Sequence, residues 1–301
     1  MRKTDDCSLS AQQRALIQRH ARLALEKADA IGVFPTPIEA VMEAAKVVVA
    51  DQDALAEGFL QKIRRNAGAA LRRALSKVLG VLDVVARVIY LDRTLYVVKQ
   101  TFLKLHETAH AVLPWQRDIY AVTEDCEMTL APEIGEVFER EANVFASDVL
   151  FQLDAFTAEA NGYNFGIKVP LKLAKKYGAS VYSSVRRYVS ESHRACAVLV
   201  LNPPELCNGH GFVATIRRVV ASNDFIWHFG ELDWPPSFTP GDEIGAMVPV
   251  GRSMSRPRTI SLVDRNGTRH ECVAEAFTQT HQVFVLIHAV HSLTRCTVVL
   301  Q

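Results

Sequence analysis

The sequence has no CxxC pair, no apolar N-terminal segment and no uninterrupted hydrophobic run of bilayer length. Its six cysteines (Cys7, Cys126, Cys196, Cys207, Cys272 and Cys296) are widely scattered. That spacing excludes a zinc ribbon and a small disulfide-stapled scaffold, and a reducing cytoplasm is the expected setting. The opening MRKTDDCSLS is polar and charged, unlike a secretory leader. The most apolar stretches, near 81–98 and 283–300, are broken by Asp83, Arg87, Asp92, Arg93, His288, His291 and Arg295. Neither supplies the ~20 apolar residues of a transmembrane helix, so no membrane role is expected. Net charge is equally scarce: 34 basic against 33 acidic residues leave +1, and nothing global draws the chain to nucleic acid.

Locally the charges are less even. Asp118–Glu159 holds eleven acids against Arg140 alone, and Lys168–Arg187 holds six bases and no acid. Lys62, Arg64, Arg65, Arg72, Arg73 and Lys77 stud a segment that reads as a helix from about 53 to 80. With no aromatic interleaved after Phe59, these bases describe a solvated face better than a nucleic-acid surface.

With 49% hydrophobic residues the chain can enclose a full core without an obligatory partner. LSAQQRALIQRHARLALEKADA, over 9–30, has helical period and stops at Gly32, Pro35 and Pro37. A second helix is predicted over 37–49. Residues 84–98, VVARVIYLDRTLYVV, predict two short strands about a turn at Asp92 and Arg93. TFLKLHETAHAVL then returns to helical spacing, with Thr101 as candidate cap and Pro114 as its end. After an acidic connection over 115–132, a helix from Pro132 to Leu153 carries Ile134, Phe138, Ala142, Phe145, Val149 and Leu153 on one stripe. Two short helices over 169–192 meet at Gly178–Ser180 in a helix-turn-helix-like order. Beyond 195, ACAVLVL, GFVATIRRVV, RTISLVD and HQVFVLIHAV read as strands, DRNGT as a hairpin turn and LDWPPSFTPGDEIG as an irregular loop. The expected fold is α+β: a mainly helical domain with a small antiparallel sheet over 1–160, a helix-turn-helix-like segment over 161–193 and a β-rich module over 194–301.

His106-Glu107-Thr108-Ala109-His110 spells HExxH. On a helix, positions i and i+4 share a face, so both imidazoles can bind one ion while Glu107 stands near the water on that ion. Phe102, Leu103, Ala109 and Leu113 surround them, and two imidazoles among apolar groups need a partner for each nitrogen. A zinc ion supplies one for each ring, and a catalytic zinc takes three protein ligands with one position open. On the helix 132–153, Glu139 and Glu141 lie on opposite shoulders of the apolar stripe, and periodicity does not choose between them. Side-chain size favours Glu139, since Ala142 and Ala146 follow it and let another helix approach, whereas Val137, Phe138, Val144 and Phe145 flank Glu141. Asn143, one turn after Glu139, is placed to accept from the far N–H of a ligand imidazole. Glu133, Glu136 and Asp148 read as solubilising. In such a site Glu107 takes the proton of the attacking water and passes it to the departing amine.

LHETAHAVL, FEREANVFASDVL and ADAIGVFPTPIEAVMEAA together make residues 10–155 similar to the ImmA/IrrE family of zinc peptidases. The resemblance implies a cytoplasmic endopeptidase that cuts a repressor-like transcription factor in a stress or mobile-element response. It also implies Glu139 as the third ligand, through the family's Glu-x-x-Ala-Asn/Asp-x-Phe-Ala pattern, matched here by Glu139, Ala142, Asn143, Phe145 and Ala146. Some relatives continue into a helical bundle and a GAF-like sensor module, an order that 169–192 and 195–301 resemble. The chain departs from the family at Leu150-Phe151-Gln152, where many members have a Leu-Met-Pro-like end, and in having no ordinary repressor-like DNA-binding domain ahead of the peptidase.

Two other functions compete. In a DNA-binding regulator, Lys172, Lys175, Lys176, Arg186 and Arg187, within 168–187, contact phosphate and the metal site is structural or vestigial. In a binding protein, the β-rich C-terminus holds the partner. His193 and Tyr163 are candidate oxyanion donors, though the structural reading suits both, and the hairpin near 88–98 is a candidate edge for an extended substrate. His270, His281, His288 and His291 read as ordinary strand and turn residues.

Overall fold

In a computed structural model of the chain, residues 9–50, 80–83, 86–91, 95–125, 132–207, 209 and 211–290 are described. They form two compact units, one built from residues up to Phe156 with Ala174–Ser180, the other from Thr157–Leu173 and the chain from Val181 onward. The predicted helix over 53–80, apart from its last residue Gly80, which is in a strand, and the predicted turn at Asp92 and Arg93 lie outside the described residues. No described helix is long and apolar enough to cross a membrane.

The unit that carries HExxH starts with α1 (Ala11–Lys27), where Ser10 and Gln13 form a reciprocal capping box. Its stripe of Ile17, Ala21, Ala24 and Leu25 is buried. The second helix, α2 (Ile38–Ala44), is shorter than the expected 37–49: Lys46 turns at φ 56°, and Val48–Val49 becomes a strand, β1. β-branched side chains suit a strand better than a final helical turn.

The hairpin is displaced from its expected place. Its strands are β2 (Gly80–Asp83) and β3 (Val88–Leu91), antiparallel, with β1 parallel on the other side of β3. The connection between them is held where the Ala86 N–H donates to Asp83 Oδ1 at 2.7 Å, with Arg87 at φ 55°. β3 is therefore central, and Val88–Leu91 offers no free edge to a substrate. Tyr96, Val97 and Val98, read as strand, instead begin α3 (Val97–Val112). Thr101 is not its cap, since its hydroxyl bonds back to the Val97 carbonyl one turn earlier. Tyr96 and Val97 are 74% and 77% exposed, so their strand-like chemistry has no sheet to enter.

Pro114 opens a new helix rather than a connection: α4 (Pro114–Asp125) follows α3 after the single residue Leu113, with proline at its first position. Next comes α5 (Pro132–Leu150), which buries Phe138, Ala142, Phe145 and Val149 and packs against α1 and α3. Asp148, expected to face solvent, is fully buried and meets Arg14 at 3.3 Å. Beyond α5, Gln152 ties down the loop between α1 and α2, as its Oε1 accepts from the Gly32 N–H and its Nε2 donates to the carbonyls of Ala30 and Val33.

The other unit holds α6 (Ala155–Ala160) for the most part, the start of α7 (Lys168–Lys176), and α8 (Val181–Ser190). Its sheet comprises β4 (Cys196–Leu201), β5 (Glu205–Cys207), β6 (Gly211–Ala221), β7 (Ser237–Phe238), β8 (Arg258–Val263), β9 (Arg269–Gln279) and β10 (Gln282–Ala289). The strand order is β5-β6-β4-β10-β9-β8, with β7 beside β6. Central β4 is buried on both faces; Ala197, Leu199 and Leu201 join Val283, Val285 and Ile287 in a core closed by Phe225 and Phe229 of α9 (Asn223–Phe229). The DRNGT turn falls at Asp264–Thr268, where Asp264 Oδ1 accepts from the Asn266 and Thr268 amides and Gly267 takes φ 81°.

Candidate metal centre

α3 presents His106 and His110 from successive turns, and α5 brings Glu139 against them. The two Nε2 atoms lie 3.4 Å apart. Glu139 reaches His106 Nε2 with one oxygen at 3.2 Å and His110 Nε2 with the other at 3.7 Å. The imidazoles are nearly buried, with side chains 10% and 6% exposed, whereas the Glu139 side chain is 59% exposed and opens the cluster to solvent.

Three ligand atoms within 4.8 Å of one another make His106, His110 and Glu139 a candidate metal-binding triad. Ligand atoms about 2.0–2.1 Å from a tetrahedral zinc stand roughly 3.3 Å apart, so the spacing found here fits such an ion. The far nitrogens are occupied, which leaves the Nε2 atoms to converge: His106 Nδ1 is 3.1 Å from Asn143 Oδ1, and His110 Nδ1 is 2.7 Å from Gln116 Oε1.

Burial and the neighbouring charges pull these groups in opposite directions. Burial opposes a charge on His106, but the Glu139 and Glu107 carboxylates and Asn143 outweigh it, and its pKa is raised. Burial and the neighbouring His106 push His110 down to about 4. Glu139 is destabilised as a carboxylate by burial yet held below its usual range by the His106 hydrogen bond and both imidazoles. The Glu139 carboxylate facing two imidazole Nε2 atoms makes a place where a cation fits.

Glu107, only 8% exposed, is pushed by burial up to about 7; the Glu139 charge adds to the shift, while His106 and the Leu82 backbone N–H of β2 oppose it. A carboxyl group poised near neutrality and anchored by an amide suits proton transfer. Tyr120 of α4 packs edge-on against His110, with ring centroids 5.4 Å apart. Its hydroxyl is raised to about 12 by burial and by the charges of Glu139 and Glu107.

Glu141, the alternative ligand, lies elsewhere and serves another purpose. Its Oε2 accepts from Trp115 Nε1 and from Gln116 Nε2, each at 2.7 Å. Sequence reasoning missed Gln116, Trp115 and the Leu82 amide. The available signal was an amide just beyond Pro114 at the end of an apolar motif helix, a place where a buried polar group needs partners. Tyr163 and His193 belong to the other compact unit. Of the bases over 168–187, Arg187 is 4% exposed, while Lys172 and Lys176 rest over the rings of Tyr163 and Phe34.

Residues 67–188 match the peptidase M78 family, described as the IrrE N-terminal-like domain. That match supports assigning this stretch to the ImmA/IrrE family, whose character is that of a zinc peptidase. A solved structure titled "Mycobacterium tuberculosis transcriptional regulator" matches 91% of this chain and 75% of its own length, at 13% identity and a TM-score of 0.49. A likeness at that score carries no inference. No curated protein matches the chain.

Proposed function

We propose that the chain is a zinc-dependent endopeptidase that cuts a regulatory protein, with a repressor-like transcription factor as the substrate class. The observation that carries this reading is the convergence of His106 Nε2, His110 Nε2 and Glu139 beside a buried Glu107. His106, His110 and Glu139 would hold the zinc, with Asn143 orienting His106. When bound, the ion supplies Lewis-acid polarisation of the scissile carbonyl and a more acidic water.

Glu107 takes the proton of the attacking water and returns it to the departing amine. Burial supports that cycle, because a carboxyl near neutral pKa can both accept and release a proton at cellular pH. The Leu82 amide keeps the carboxylate from turning away. Among the described residues β2 pairs only with β3, so its other side is an edge, and its Leu82 N–H already reaches Glu107. An extended substrate segment lies along this edge, aligned by backbone hydrogen bonds. The repressor-like substrate rests on the family resemblance.

The test is incubation of zinc-loaded full chain, and of its Glu107→Gln variant, with candidate repressors, followed by mass analysis of the fragments. Cleavage by the wild type and none by the variant supports the proposal. Equal cleavage by both removes Glu107 from it.

A further inference from the structure

Three buried groups, Gln116, Glu141 and His110, and the half-buried Trp115 form one hydrogen-bonded chain that ends on a candidate ligand. Gln116 is fully buried on α4, and Glu141 on α5 is 5% exposed. The Gln116 amide nitrogen faces two groups that can only accept, Glu141 Oε2 at 2.7 Å and the Phe138 carbonyl at 3.3 Å. Its orientation is therefore fixed: the NH₂ points at α5, and Oε1 is left facing His110 Nδ1 at 2.7 Å. Glu141 is itself steered by Trp115, whose Nε1–H donates to the same oxygen.

An acceptor opposite Nδ1 places the His110 proton there and leaves the lone pair on Nε2, directed toward His106 and Glu139. We infer that Gln116 is a positioning residue that, locked by Glu141 and Trp115, holds His110 in the one neutral tautomer able to bind a metal through Nε2. The inference rests on the metal-centre reading for its use, yet the tautomer is a property of the metal-free protein. Asn143 gives His106 an amide oxygen from α5, so the two ligand rings are set by amides from different helices.

The test uses the full chain. The ¹⁵N NMR signals of His110 in metal-free protein, at a pH where the ring is neutral, report which nitrogen carries the proton. Zinc affinity is measured in parallel by competition with a chromophoric chelator. The wild type should show Nδ1–H. Folded Gln116→Leu should move the proton toward Nε2 and weaken zinc binding about 10–100-fold, the range found when groups orienting a metal ligand are lost. Glu141→Gln, which lets the Gln116 amide turn over, should shift the tautomer partway, and should have no further effect on it once Gln116 is leucine. Should Gln116→Leu not fold, Glu141→Gln decides alone. An Nε2–H proton in the wild type overturns the inference, as do an unchanged tautomer and zinc affinity in a folded variant. A wild type that shows Nδ1–H but binds no zinc defeats the metal-centre reading and leaves the positioning role standing.

Discussion

Glu107 couples the chemistry of the site to the stability of the protein. Its carboxyl, ordinarily 4.5, is raised by burial to about 7 in the folded metal-free state. With a folded pKa above the unfolded one, the folded state binds the proton more tightly. This contribution to stability is full below about 4.5 and is lost as pH rises through 7. At 1.36 kcal/mol per unit, the loss is about 3 kcal/mol. Urea unfolding of metal-free protein at pH 4.5 and pH 8 should show the wild type losing stability relative to Glu107→Gln by an amount of that order. A constant difference would mean that Glu107 is not desolvated. If the chain is the proposed peptidase, the same substitution in its zinc-loaded form should lower turnover roughly 10²–10⁴-fold while leaving metal content unchanged. Glu139→Ala should instead reduce metal content, measured by atomic absorption after dialysis.

Among the elements, the motif helix and its partner were legible because each buries one face. HExxH on a helical period foretells α3, and the stripe through Phe138, Ala142, Phe145 and Val149 foretells α5. Ala142 and Ala146, both fully buried, fit the expectation that small residues let the helices approach. The hairpin was misplaced because Val97 and Val98 have strand-like chemistry, and local composition does not reveal that they enter a helix on its exposed first turn. The strand β9 went unread since its inward positions include Cys272, Ala274 and Ala276, too small to raise an alternating signal. Nor did α9, at seven residues, have enough length to display a period. Gln152, at 5% exposure, closes the α1–α2 loop with its whole amide. Gln152→Ala strands the buried Ala30 carbonyl, at a cost of about 1–3 kcal/mol, and removes the part-buried bonds to Gly32 and Val33, so it should destabilise the protein by roughly 1–3 kcal/mol in chemical denaturation. A loss below about 0.5 kcal/mol would show that water replaces the amide.

For the whole molecule, the chain divides into a unit holding the triad and a unit built on the seven-stranded sheet, each with its own core. Binding to the folded state adds about 4 kcal/mol when free metal is 1,000 times Kd. Because all three candidate ligands lie in one unit, zinc should slow amide exchange in α3 and α5 and leave β4 and β10 nearly unchanged; chelation should reverse it. Uniform protection of both units would place the bound metal elsewhere.

The most direct measurement is X-ray absorption at the zinc edge on full chain carrying one equivalent of zinc. Two imidazole nitrogens with oxygen completing the shell, at about 2.0–2.2 Å, is the result predicted for His106, His110 and Glu139. A sulfur ligand, or a spectrum unaltered by replacing both histidines, would contradict it.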